Sequence, residues 1–547
     1  MFEQDNVCIQ NLQGEFIIHI LQKEYESISD LFWEDGTYAA PDDGIMCRGK
    51  EQIFRFFTEI FPQEKKNLYV FSHTPAIRIE ENGERARATW YANTIEIKRD
   101  KEFQAIQGSA RFDADLEKRN GIWKYTELQF FYLMTLKPQA YETENVLFEK
   151  DPFIFRFQKT PRPVDFVDIE HLIGRWCQNR RLFDKDIFVD SKDSVLRLPN
   201  LLSAPAKGAA EIKEALEMLH QKEQELLPYP LSLPTVSAPM IYSSDDDSTA
   251  EGHWFMLSFE GKKVEDAFII TPSFGGLYVE LEKESEWKLK KLEYRIAAVL
   301  PDMVMEAKDN AGTVISTEEA WMNGPQETGN RSDEAVSDIL ALEEYLTFWV
   351  SGLRYRSEAP FYYTRLALER PEMITYKVRA NEARGLEEAT KAIFAMTNKF
   401  STLQPKAPGT HVGTTPVIEI SKDGKTAEAE WIDYGWTTVA EVFGITEPPY
   451  LARMTVARYF VKYLKIDGMW KQYGFHWTPF FTMGMLQFDY NDTKGWSGTT
   501  STKRFPLPYE RYIYENDPSK KGMKIKLDPP LIDCPYEKEW DGGTDRL

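Results

Sequence analysis

The sequence is short of most features that announce a chemistry. Its four cysteines, Cys8, Cys47, Cys177 and Cys534, are scattered and form no C-x-x-C pair, which speaks against a disulfide scaffold or a zinc knuckle and for reduced thiols in a cytoplasmic protein. The first residues, MFEQDNVCIQ, lack a basic stretch followed by an apolar one, so no export signal is expected. No run of about 18 apolar residues occurs, and no membrane-spanning helix is expected. There is no Gly-rich phosphate loop, no G-x-S-x-G and no H-E-x-x-H. The seven histidines include no two at metal-ligand spacing, so neither a metal nor a cofactor is expected. Basic residues number 66 against 87 acidic ones, a net charge of −21. A nucleic-acid partner is therefore not expected, because phosphate binding needs clustered Lys and Arg.

What the chain does have is apolar material, 42% hydrophobic and 14% aromatic, enough to build sizeable cores. It also has a pattern that occurs three times. Ala86, Ala88 and Trp90 return as Ala250, Gly252 and Trp254, then as Ala427, Ala429 and Trp431. Fifteen residues before each Trp stands a proline: Pro75, Pro239 and Pro416. A glycine lies further upstream (Gly49, Gly208, Gly385) and a Trp-Lys pair downstream (Trp123-Lys124, Trp287-Lys288, Trp470-Lys471). A repeat of about 165–180 residues is too long for a solenoid unit and suits a whole domain. The expected division is domain 1 over 1–137, a linker over 138–164, domain 2 over 165–304, a linker over 305–332 and domain 3 over 333–489. An extended C-terminal arm over 490–547 follows, able to dock on the domains or on a second copy of the chain.

Each repeat reads as helix first, strand afterwards, which is an α+β layout. The helical spacing of Phe16, Ile17, Ile20, Leu21, Ile28 and Leu31 predicts a helix over 15–32. The landmark glycines suit a turn with positive φ, and second helices are expected over 50–61, 209–225 and 386–398. In the third repeat the alternation predicts strands over 416–420, 427–437, 450–466 and 470–477, with turns at Ser421–Gly424 and Asp467-Gly468. Arg111, Asp113 and Asp115 alternate along one strand and read as a solvated face.

These landmarks resemble the SnoaL-like branch of the nuclear transport factor 2-like superfamily, which includes polyketide cyclases, ketosteroid isomerase, scytalone dehydratase and bile-acid dehydratase. The resemblance rests on Leu31-Phe-Trp-Glu-Asp-Gly-Thr-Tyr38, Arg48-Gly-Lys-Glu-Gln-Ile53 and Gly121-Ile-Trp123-Lys in the first repeat. In the third it rests on Arg384-Gly-Leu-Glu-Glu-Ala, His411-Val-Gly-Thr-Thr-Pro-Val-Ile418 and Gly468-Met-Trp470-Lys; the second repeat matches least. It implies three cone-shaped domains, each with helices packed in a strongly bent antiparallel sheet around an apolar pocket. Superfamily members commonly oligomerise, so the three domains could form a pseudo-trimer within one chain. The fold fixes no reaction, because it hosts enzymes, binding modules and assembly domains alike.

In such families one or two general acid/base groups do the work. His and Asp suit the role, because burial and a close partner tune their pKa. The repeats differ at three positions. His411 stands where the others have Val70 and Pro234, Asp433 where they have Ala92 and Met256, and His476 where they have Gln129 and Glu293. Domain 3 is therefore the candidate active unit, with His411 as base, Asp433 as its partner and His476 as proton donor. Trp431, Arg354 and Tyr363 are the candidate pocket wall for a hydrophobic cyclic or aromatic substrate. The expected reaction is a cofactor-independent dehydration, isomerisation or cyclisation; the alternative is a non-catalytic binding or scaffold protein. A rival set in domain 1 comprises Tyr25, Asp30 and His73. No pocket chemistry is expected in domain 2.

Overall fold

The computed structural model describes residues 2–64, 66–73, 75–99, 103–135, 139–141, 155–178, 183–226, 230–265, 267–300, 302–304, 331–355, 367, 369–378, 381–389, 392, 409–438 and 450–488. The expected arm over 490–547 and nearly all of the linker over 305–332 lie outside them.

The fold is α+β, with three separate curved sheets. The first runs Ile45–Arg48, Phe32–Ala40, Ile122–Thr135, Phe103–Arg119, Arg85–Arg99, Lys66–Ser72. The second runs Ala206–Lys207, Val195–Arg197, Trp287–Val299, Ala267–Lys283, Thr249–Val264, Ser232–Val236. The third runs Asn381–Arg384, Thr375–Val378, Met469–Phe488, Tyr450–Ile466, Thr426–Thr438, Gly409–Ile420. The strand order is the same in all three. The long strands form antiparallel meanders, but Phe32–Ala40, Val195–Arg197 and Thr375–Val378, each the next but one strand before a landmark glycine, pair in parallel with the last long strand. That parallel pair is absent from the expected purely antiparallel sheet, because its partners are distant in sequence and no hairpin turn announces it.

Each landmark has a physical cause. Gly49, Gly208 and Gly385 have φ of 79°, 77° and 79°, a region that costs glycine little and other residues more. Trp90, Trp254 and Trp431 are fully buried on the sheet face that meets the helices. At roughly 25 cal/mol per Å² over about 200 Å², each contributes about 5 kcal/mol of apolar burial. The small residues two and four positions earlier leave room for the indole: a β-carbon on Gly252 would stand 2.4 Å from Trp254 Cη2.

The downstream tryptophans fasten the first helix of each unit to its sheet. Trp123 Nε1 donates to Asp5 Oδ1 at 2.9 Å, Trp287 Nε1 to Asp165 Oδ1 at 2.9 Å and Trp470 Nε1 to Asp338 Oδ1 at 3.0 Å. Lys118, Lys283 and Lys465 donate to the same three carboxylates and lie over the same indoles at 5.9, 5.3 and 5.6 Å. A desolvated carboxylate taking an N–H and an ammonium together is stronger than a neutral hydrogen bond. These helices are Glu3–Gln22, Pro163–Cys177 and Asp333–Tyr355. The helix expected over 15–32 instead begins at Glu3 and ends at Gln22, capped by Lys23 at φ 62°; a short helix Tyr25–Ile28 follows, and Phe32 already belongs to a strand.

The same helices join the units. Six residues after its clamp aspartate, Asn11 exchanges two hydrogen bonds with the backbone of Ile241 in unit two, at 2.6 and 2.9 Å. At the equivalent place His171 Nε2 accepts from Ile418 N of unit three at 3.4 Å. Glu344 pairs with Arg78 Nε of unit one at 3.2 Å. Gly14 and Gly174 let helix and strand approach: a β-carbon would stand 2.1 Å from Pro239 O in the first case and 2.7 Å from Pro416 O in the second. The contacts run one to two, two to three and three to one, and so close a ring. Inside it the outward sheet faces share one core, with Tyr69 and Phe71 against Phe255 and Phe274, and Tyr434 against Phe71 and Phe259. This buries Arg111 and Asp113 completely as an ion pair, in place of the expected solvated face. Alternation places them outward from their own sheet, but the sequence alone does not announce the neighbouring unit.

Candidate functional site

In unit three the strand Thr426–Thr438 presents Ala427, Ala429, Trp431 and Asp433 to the helix side. Its register is unbroken against Tyr450–Ile466, with Trp431 opposite Tyr459 and Asp433 opposite Ala457. The next strand continues the face with Trp477 opposite Tyr459 and Phe475 opposite Val461. Asp433 is fully buried, and its Oδ2 accepts from Trp477 Nε1 at 2.9 Å. Trp431, Tyr459 and Phe475 lie on the same sheet face, the last stacked on Tyr376 at 5.2 Å. A buried carboxylate in an aromatic lining is costly unless it is hydrogen-bonded, and the indole N–H supplies a donor.

The three candidate residues do not all meet. His411 lies opposite Gly435, two residues from Asp433, so the register puts positions 411 and 433 diagonally adjacent on one sheet face. His476 lies opposite Phe460, which lies opposite Glu430, and this is the other face. Its ring packs near Phe460 at 6.0 Å. The expected proton donor therefore stands outside the cone, a correction that follows from period-two alternation along Met469–Phe488. Of the pocket wall, Trp431 faces inward. Arg354 falls within the Asp333–Tyr355 helix with its side chain outside the described ones, and Tyr363 lies outside the described residues.

The rival set is dispersed. Asp30 is exposed and pairs with Lys50 Nζ at 2.6 Å. Tyr25 packs on Phe61 at 5.5 Å, and burial pushes its hydroxyl up to about 12. His73 is buried on the outward face beside Phe71, 5.9 Å away, and desolvation holds its pKa well below the usual imidazole range. His253 also faces outward and is buried, with Gln22 Nε2 3.0 Å from its Nδ1, and burial lowers its pKa to about 3. Both rings serve the junctions between units.

Two inward carboxylates escaped the sequence reading. Six residues after the landmark Trp stand Glu96 and Glu260. Glu96 accepts from Tyr132 OH. Glu260 accepts from Asn200 Nδ2, from Ser258 Oγ at 2.5 Å and from Ser273 Oγ at 3.2 Å. Burial raises Glu260 to about 7 against those lowering bonds. Counting by twos from Trp90 and Trp254 reaches both residues, so the signal was present. Comparing the repeats singles out positions where unit three carries the ionisable residue, and here unit three has Thr437. Among the described residues, no group of three or more His, Cys, Asp or Glu could hold a metal ion, and no helix is long and apolar enough to cross a membrane.

Comparison with known proteins agrees with the first unit. Residues 4–129 match the family model of the SnoaL-like domain. No curated protein matches the chain. Among solved structures, a LinA type 2 hexachlorocyclohexane dehydrochlorinase is 15% identical, with 25% of this chain and 90% of that chain covered and a TM-score of 0.22. An NTF2-like protein with a cystatin-like fold from Novosphingobium aromaticivorans is 16% identical over 23% of this chain and 79% of its own, with a TM-score of 0.20. ActVI-ORFA from Streptomyces coelicolor is 14% identical over 23% and 94%, also with a TM-score of 0.20. These likenesses are too slight to bear on chemistry. The helix-then-sheet layout of the first unit is consistent with that match to the SnoaL-like domain over residues 4–129.

Proposed function

We propose that the chain is a cofactor-independent lyase or isomerase whose reacting unit is the third. The ring of contacts supports reading it as a pseudo-trimer within one chain, with units one and two as its frame. The observation that carries the reading is Asp433: a fully buried carboxylate on the inward face, where the other units have Ala92 and Met256. His411 serves as base and Asp433 orients it and stabilises the imidazolium, so that the pair removes a proton beside a carbonyl or hydroxyl carbon. Trp477 Nε1 holds the carboxylate in place. Trp431, Tyr459 and Phe475 favour a hydrophobic cyclic or aromatic substrate, with Arg354 and Tyr363 as further wall. His476 is left out of this assignment.

The test is solvent exchange. Cyclic and aryl ketones are incubated with the full chain in D2O and deuterium uptake is read by NMR. The reading expects catalysed uptake at carbons beside the carbonyl for at least one ketone, and its loss by 100-fold or more in Asp433→Asn and His411→Ala. Uptake unchanged in both variants would remove the proposal. A second reading, a non-catalytic scaffold, is favoured by the packing of unit one, where Phe16, Tyr38, Phe57, Phe112 and Tyr125 make mutual ring contacts in the cone. It predicts no uptake above buffer for any ketone.

A further inference from the structure

The three units fill the groove between the start of the first helix and the nearest hairpin in three different ways. Counting three residues back from each clamp aspartate gives Phe2, Arg162 and Ala335. In unit one the Phe2 ring covers the hairpin so closely that a β-carbon on Gly83 would stand 2.9 Å from Phe2 Cε1. In unit two Arg162 Nε reaches Asp165 at 2.7 Å and Asp247 at 3.6 Å, and Lys159 Nζ reaches Asp247 at 2.8 Å. In unit three Ala335 is too short to fill the space, and a β-carbon on Gly424 would meet nothing within 4 Å. What is left is a cleft of about 390 Å³ with Arg331, Ala335, Ile339, Ile420 and Gly424 among its walls.

Arg331 gives the cleft a polarity. Its side chain is 9% exposed, and its Nε pairs with Asp168 Oδ1 at 3.1 Å. Neither Nη1 nor Nη2 has a hydrogen-bond partner among the described residues; the Glu419 carboxylate is 3.8 Å from Nη2. A buried guanidinium with two unmatched nitrogens calls for an acceptor, and its planar fork suits a carboxylate. The acidic groups of the cleft already have partners. Glu419 accepts from Arg175 Nη2, and Asp338 is held by Trp470 and Lys465. Asp423 accepts from Ser421 Oγ at 2.7 Å and Lys425 N at 3.1 Å, and Glu334 pairs with Lys465 at 3.2 Å.

We propose that this cleft binds a small aryl carboxylate. Its ring takes the seat over Gly424 that Phe2 holds over Gly83 in unit one, against Ala335, Ile339 and Ile420, and its carboxylate meets the two Nη atoms of Arg331. The site is separate from the cone containing Asp433. The test is calorimetric titration of the full chain with benzoate, phenylacetate and 3-phenylpropionate, with benzylamine as the opposite charge. One site per chain is expected for at least one acid, with none for benzylamine. Ala335→Phe, which restores the plug of unit one, and Arg331→Gln are each expected to weaken binding at least tenfold. Asp433→Asn is expected to leave it unchanged. Absence of saturable binding by every acid, undiminished binding by Ala335→Phe, loss of binding in Asp433→Asn, or binding of benzylamine in place of the acids would overturn the assignment. Ala335→Phe keeps the test open if removing Arg331 disturbs the Asp168 contact and with it the fold.

Discussion

On its inward side the strand Arg85–Arg99 of unit one carries Ala86, Ala88, Trp90 and Ala92; the strand Thr426–Thr438 of unit three carries Ala427, Ala429, Trp431 and Asp433 in the same places. Three of the four positions agree because the fold needs them: two small residues make room for an indole that anchors the cone. The fourth is free of that duty and is where the units part. Unit one has Ala92 there, opposite Ser72 and Ala110, whereas unit three places a carboxylate there and gives it the Trp477 N–H. The helix clamps are the same kind in both, an aspartate holding a Trp N–H and a Lys. The shared residues therefore hold the architecture, and the unshared ones are where chemistry is to be sought.

The largest test of that division is to remove an anchor. Trp90→Ala, Trp254→Ala and Trp431→Ala are each expected to cost about 3–5 kcal/mol of stability, measured by denaturant unfolding. Similar losses in all three would support a common structural role, and a negligible loss in unit three would break the parallel. Next comes the clamp. Asp165→Ala strips partners from Trp287 and Lys283 and is expected to cost about 1.5–3 kcal/mol, with Asp5→Ala and Asp338→Ala in the same range. A cost in one unit alone would show that the clamps are not equivalent.

A smaller effect tests the ring rather than the cones. Gln10, Glu170 and Glu343 each stand five residues after a clamp aspartate, and Gln10 Nε2 lies 3.4 Å from Glu343 Oε2 and 3.0 Å from Asn6 Oδ1. Burial raises both carboxyls above the ordinary 4.5, Glu343 to about 7. The folded chain thus keeps protons that the unfolded chain gives up. This contribution to stability is full below about pH 4.5 and is lost as pH rises through about 7. Glu343→Gln should flatten that decline in unfolding free energy; an unchanged slope would count against the pair.

Much of the fold was legible in the sequence, for identifiable reasons. Alternation and the turn signals at Ser421–Gly424 and Asp467-Gly468 marked the meander of unit three, and Gly49, Gly208 and Gly385 marked the positive-φ turns. The parallel strand pairs were hidden, since nothing local encodes a partner about 90 residues away. The site was half legible. Alternation from Trp431 placed Asp433 on the inward face, because the strand Thr426–Thr438 pairs without a break. It failed for His476, which sits on another strand with its own register. Arg111, Asp113 and His73 were misread for a different reason: whether an outward face is wet depends on the neighbouring unit.

The most direct measurement is a crystal structure of the full chain soaked with a ketone that takes up deuterium. The account predicts ligand density in the cone of the third unit, its oxygen or reacting carbon within reach of His411 and Asp433, and none in the other two cones. Density beside Glu96 or Glu260 with the third cone unoccupied would contradict it.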